Sequence, residues 1–85
     1  MTISITRDKK LGDCSSWPTW SSKPDHFDWK YEKEEHCYII EGEATIETDQ
    51  ETAVTIGPGD YVVFPEGLNC HWTVHRYIKK HYTLK

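Results

Sequence analysis

Glu35 and Cys70 are the two residues of this 85-residue sequence best suited, by type and setting, to do chemistry. A carboxylate turned inward among aromatic residues loses water, which favours its neutral form unless a partner compensates and suits it to act as an acid or base. A hydrogen bond from Tyr31 or from a basic residue is the purely structural alternative for Glu35. Cys70 offers a thiol that becomes a nucleophile or a soft metal ligand once ionised, but no cation stands beside it in sequence, and packing as a small hydrophobe competes with reactivity. Cys37 lies two positions after Glu35 and shares its face in a strand. Trp29, Tyr31, Phe64 and Trp72 are either core filling or stacking walls, and the short Cys37 and Cys70 leave room among them for a small ligand. His36 and His71 flank this set, but strand alternation sends each to the face opposite its neighbour, and only a bulge would bring them round.

Short strands must position these groups. The chain has 31 residues of Val, Ile, Thr, Tyr, Phe or Trp against six of Ala, Leu or Met, a composition that favours strands. Period-two runs are expected at 2–6, 26–31, 35–41, 43–48, 52–56, 61–64, 69–76 and 77–84. Breaks at Glu41-Gly42, Asp49-Gln50, Gly57-Pro58-Gly59-Asp60 and Pro65-Glu66-Gly67 leave no space for a ten-residue helix, so the fold is all-β, a sandwich or barrel. Cys70, Trp72 and Val74 should point inward, with His71, Thr73 and His75 outward. Both faces of 35–41 carry apolar residues, which places that strand centrally. Residues 12–25, rich in Ser, Pro and Gly, read as a turn-rich arm whose Trp17 and Trp20 should pack over the barrel or against a second copy in a homodimer.

A length of 85 residues supports one core and a single domain spanning 1–85. The formal charge of −4 argues against a nucleic-acid partner, and the basic cluster Arg76, Lys79, Lys80 and Lys85 reads as a solvated edge. The longest apolar run, Tyr38-Ile39-Ile40, is too short for a membrane span or secretory signal, and three cysteines without C-x-x-C spacing are expected to be reduced thiols. The expected setting is cytoplasmic, without membrane contact.

Two segments resemble the motifs of cupins. Glu35 stands seven residues before Gly42, as in the first cupin motif (here about 28–42), and Gly59, Pro65 and Gly67 match the second (about 59–74). The resemblance implies a single RmlC-like jelly-roll β-barrel with an N-terminal arm. In metal-dependent cupins two histidines and the glutamate of motif one, with a histidine of motif two, hold one ion. The corresponding positions here are Trp29, Tyr31 (or Asp28 and Lys30 with the longer spacer), Glu35 and Cys70. Trp17-Pro18-x-Trp20, Phe27-Asp28-Trp29, Cys37-Tyr38-Ile39-Ile40-Glu41-Gly42 and Phe64-Pro65-x-Gly67-Leu68-x-Cys70-x-Trp72 together resemble the small cupins grouped with the ureidoglycine aminohydrolase cupin domain and the ethanolamine-utilisation cupin.

Three functions follow as expectations. The first is a small-molecule-binding cupin with a degenerate metal site and no cofactor, using Glu35 for metal-independent isomerase, epimerase or lyase chemistry in a pocket of Trp29, Tyr31, Cys37, Phe64 and Trp72. The second is a metal enzyme in which Glu35, Cys70, His36 and His71 hold Mn, Fe, Ni or Zn. The third is a non-catalytic module that dimerises or binds a partner.

Overall fold

The computed structural model describes residues 3–7, 12–48 and 53–85. A short 3-10 turn, Gly12–Ser16, accompanies seven strands: β1 (Ser4–Thr6), β2 (Thr19–Ser22), β3 (Asp25–Lys30), β4 (Glu35–Thr48), β5 (Val54–Ile56), β6 (Tyr61–Phe64) and β7 (Asn69–Leu84). All pairings are antiparallel. The expected strand ends at Thr2 and Thr52, and the break at Asp49-Gln50, lie outside the described residues.

Two long strands replace four expected short ones. β4 and β7 pair along their whole lengths, and the register slips between Ile39 and Ala44. The first half of β4 pairs with β6 and with the second half of β7, which in turn carries β2. The second half of β4 pairs with β5 and with the first half of β7, which carries β3. The slip is where the sheet bends, because bulged residues kink a strand and increase its twist. Gly42 therefore does not separate two strands. It lets one strand turn the corner, with φ +92°. The bend brings the halves face to face, so that Phe64 of β6 lies 5.8 Å from Trp72 of β7 between ring centroids. The sheet folds over on itself and is not closed into a continuous barrel among the described residues.

The core follows the alternation expected for β7 and takes one of the two apolar faces of β4. Glu35, Cys37 and Ile39 are buried, as are Cys70, Trp72 and Val74, whereas His71 and Thr73 are half-buried and His75 is exposed. The other face of β4 is only partly covered, since His36 and Tyr38 are half-buried and Ile40 is exposed. The arm expected at 12–25 becomes in part a sheet member, because β2 takes up the edge of β7 from Thr19↔His81 to Ser22↔Ile78. Its tryptophans pack on the sheet from both sides: Trp17 against Tyr61 on the outer face, and Trp20 edge-on to both Phe27 and Trp72 on the inner one.

Candidate functional site

A cavity of about 430 Å³ opens between the two halves of the sheet. Its walls are aromatic. Phe27 and Trp72 stack with an interplanar angle of 8°, Trp20 closes one side edge-on, and Trp29 stands at the opening, 52% exposed. Tyr31 follows β3 directly and is held by two backbone hydrogen bonds, its N–H to Leu68 O and the Gly67 N–H to its own O. This places its ring in a 4.6 Å stack on Phe64.

A buried ion pair lies within these walls. Lys80 Nζ donates to Glu35 Oε2 at 2.5 Å, and the two residues are 5% and 7% exposed. The ammonium also sits 5.0 Å from the ring centroid of Trp72, 5.1 Å from that of Trp20 and 5.9 Å from that of Phe64, within cation–π range. The basic partner of Glu35 is thus a residue that the sequence reading put on a solvated edge. The correction has a simple cause: the inward parity of Cys70, Trp72 and Val74 is interrupted only by the exposed Arg76 at the bend and resumes at Ile78 and Lys80. Composition hid what alternation carried.

The expected ligand-lining residues separate into three groups. Trp29, Tyr31, Glu35 and Trp72 line the cavity. Cys37 and Phe64 are fully buried and lie in the core behind it, so they shape the walls without facing a ligand. Cys70, 7% exposed, borders a different, open cleft beside Asp28, Glu47 and His71, where the Asp28 side chain is 93% exposed. Trp20, Phe27, Tyr82 and Lys80 join the cavity without having been picked out for it.

Burial decides the state of the thiols. Desolvation pushes Cys37 up to about 12, and the nearby charge of Lys80 only partly opposes it. Cys70 is pushed up to about 11 by burial, against a Trp72 hydrogen bond and Lys80. Both are neutral thiols at physiological pH, and none of Cys14, Cys37 and Cys70 is in a disulfide. Tyr31 is raised well above the ordinary phenol range by burial, then by the charge of Glu35, so its hydroxyl keeps its proton.

A stability consequence follows. A thiol with a raised folded pKa contributes stability that is complete below its unfolded value of 9.0 and is lost as pH rises toward about 12 for Cys37. Between pH 8 and pH 10 the protein should lose stability on the order of 1 kcal/mol from Cys37 alone. Urea unfolding of Cys37→Val should show a pH dependence shallower by that amount, and parallel curves for the two proteins would disprove the assignment.

The cupin resemblance raises a metal ion, and the donors present do not fit one. Trp29 offers no metal-binding nitrogen, Tyr31 is a protonated phenol, Cys70 is a neutral thiol whose Sγ donates to the Trp29 carbonyl, and Glu35 is engaged by Lys80. The alternative ligands do not converge either. His36 lies 2.5 Å from Glu34 and 2.8 Å from the Tyr61 hydroxyl on the other face of β4, and His71 lies 2.8 Å from Asp28. The bulges fall at 39–44, beyond His36, and the β3–β7 register runs unbroken past His71. Among the described residues no group of three or more His, Cys, Asp or Glu is placed to hold a metal ion.

Known proteins share this architecture. The sequence matches the family model of the EutQ-like cupin domain over residues 10–82. A DUF861-family protein from Thermotoga maritima is 36% identical, covers 99% of this chain with all of its own length, and superposes with a TM-score of 0.93. The EutQ protein of Clostridium difficile is 23% identical and superposes with a TM-score of 0.70 over 94% of this chain and 64% of its own. A putative ethanolamine utilization protein Q from Salmonella typhimurium is 19% identical, with a TM-score of 0.67 over 96% of this chain and 68% of its own. No curated protein matches the sequence. The narrower grouping with ureidoglycine aminohydrolase gains no support from these matches. The folded sheet, the motif glycines and the extent of the family match lead to one assignment: this chain belongs to the EutQ-like cupin domain family.

Proposed function

We propose that this cupin binds a small metabolite in the aromatic cavity and acts on it by proton transfer at Glu35 without a metal. The observation that carries the reading is a buried Glu35–Lys80 pair lining a ligand-sized cavity. A carboxylate in hydrogen-bond contact with an ammonium can exchange a proton with a bound ligand while its partner balances the charge. Isomerisation, epimerisation and elimination need no more than that and a wall to fix the ligand. The aromatic walls supply orientation, since rings held by stacking do not move aside when a flat ligand enters.

Proton NMR in deuterated water tests the reading without a known product. A panel of small hydroxy, keto and unsaturated acids is incubated with the protein, and carbon-bound hydrogens are followed for exchange. At least one should exchange with wild type and lose about a hundredfold or more in rate with Glu35→Gln, as general acid–base catalysts do on removal. Exchange that persists in Glu35→Gln would refute the catalytic role, and a protein that binds none of the panel would refute the site.

A further inference from the structure

The cavity already contains a cation, and this limits what can join it. A carboxylate and several aromatic faces are the elements with which proteins hold a ligand ammonium. Here those elements, Glu35, Trp20, Trp72 and Phe64, surround the ammonium of Lys80. A ligand amine would have to displace a cation tethered to the same chain, and tethering gives that cation an effective concentration far above any free metabolite. Amines are therefore disfavoured at this site.

What remains for a ligand is a set of donors. Glu35 takes one hydrogen of an ammonium that has three to offer. Tyr31 lines the same cavity, and its hydroxyl keeps its proton. Lys30 and Lys33 lie at the lining with Glu32, so the lining carries three lysines against two glutamates. The stacked Phe27–Trp72 pair and the exposed face of Trp29 favour a flat body. We propose that Lys80 is the built-in cation of this site, standing beside the glutamate where a metal-dependent cupin would use an ion, and that it selects a small, flat monoanion such as an aromatic or unsaturated carboxylate. The proposal rests on the cavity being a ligand site, as argued under Proposed function.

Benzoate, benzyl alcohol and benzylammonium share one ring and differ in charge. Their binding to the full chain is read by quenching of tryptophan fluorescence, because three of the four tryptophans, Trp20, Trp29 and Trp72, line the cavity. Benzoate should bind about tenfold or more tightly than either of the others, the size expected for a charge-assisted hydrogen bond. Lys80→Arg should keep the preference. The doubly neutral variant Glu35→Gln with Lys80→Met, which leaves no unpaired charge to unfold the protein, should reduce it to about threefold or less. Equal binding of the three probes, or tightest binding of benzylammonium, overturns the proposal while leaving the cavity a ligand site. A preference that survives the double variant and disappears in Lys30→Gln with Lys33→Gln overturns it as well, by moving the anchor to the rim. Binding of none of the three overturns both this proposal and the function on which it rests.

Discussion

Gly42→Ala should leave little or no folded protein. At φ +92° a side chain is strained wherever it stands, and at this position it also has no room. An added Cβ would lie 2.5 Å from Ile78 Cα and 2.8 Å from Tyr77 C, and closer still to the Tyr77 carbonyl oxygen. All three are backbone atoms of β7 at the point where β4 bends, so neither strand can yield without breaking the pairing that joins the two halves of the sheet. The expected loss is about 4 kcal/mol or more, comparable to the whole stability of a chain this short. Gly59→Ala is the control. Gly59 has φ +89° but nothing within 4 Å of the added carbon, so it should lose only the conformational part, about 1–2 kcal/mol. Urea unfolding separates the two, and equal losses would mean that the close approach of β7 is unimportant.

The same glycine shows where sequence reading succeeded and where it stopped. Alternation placed Cys70, Trp72 and Val74 inside, because one buried face fixes the phase of a strand, but in 35–41 both faces carry apolar residues and alternation alone did not show that Glu35, Cys37 and Ile39 form the buried one. Gly42 and Gly67, both picked out by the motif spacing, have positive φ. A glycine in a bulge and a glycine in a turn look alike in sequence, however, and only the partner strand distinguishes them. Thus 35–41 and 43–48 read as two strands where β4 is one. The Ser- and Pro-rich composition around β2 says nothing of the free edge on β7 that receives it. Cys37 and Phe64 were placed on the correct face, but whether an inward residue meets a ligand or a neighbour depends on depth, and depth is set by the opposing half of the sheet. Lys80 is the instructive case. Its phase was available, but a lysine in a basic C-terminal stretch is normally solvated, and nothing local reveals that Glu35, 45 residues away, waits opposite.

That pair is the second place where one substitution should have a large effect. Lys80→Met removes the ammonium, leaves the Glu35 carboxylate buried without its partner and loses the contacts to three rings; the expected loss is about 3–5 kcal/mol. Adding Glu35→Gln removes the stranded charge, and Met and Gln approximate the lost volume within an aromatic setting that tolerates both. The double variant should recover to within about 1 kcal/mol of wild type, so the two substitutions will be strongly non-additive. Urea unfolding of wild type, both single variants and the double variant closes this cycle. Additive losses would show that the two residues act separately and would remove the basis for treating them as one site. Recovery in the double variant carries a further meaning. A neutral pair that packs as well as the charged one would show that stability does not require two charges in the wall of the cavity. The remaining reason to bury them there is what they do to a ligand.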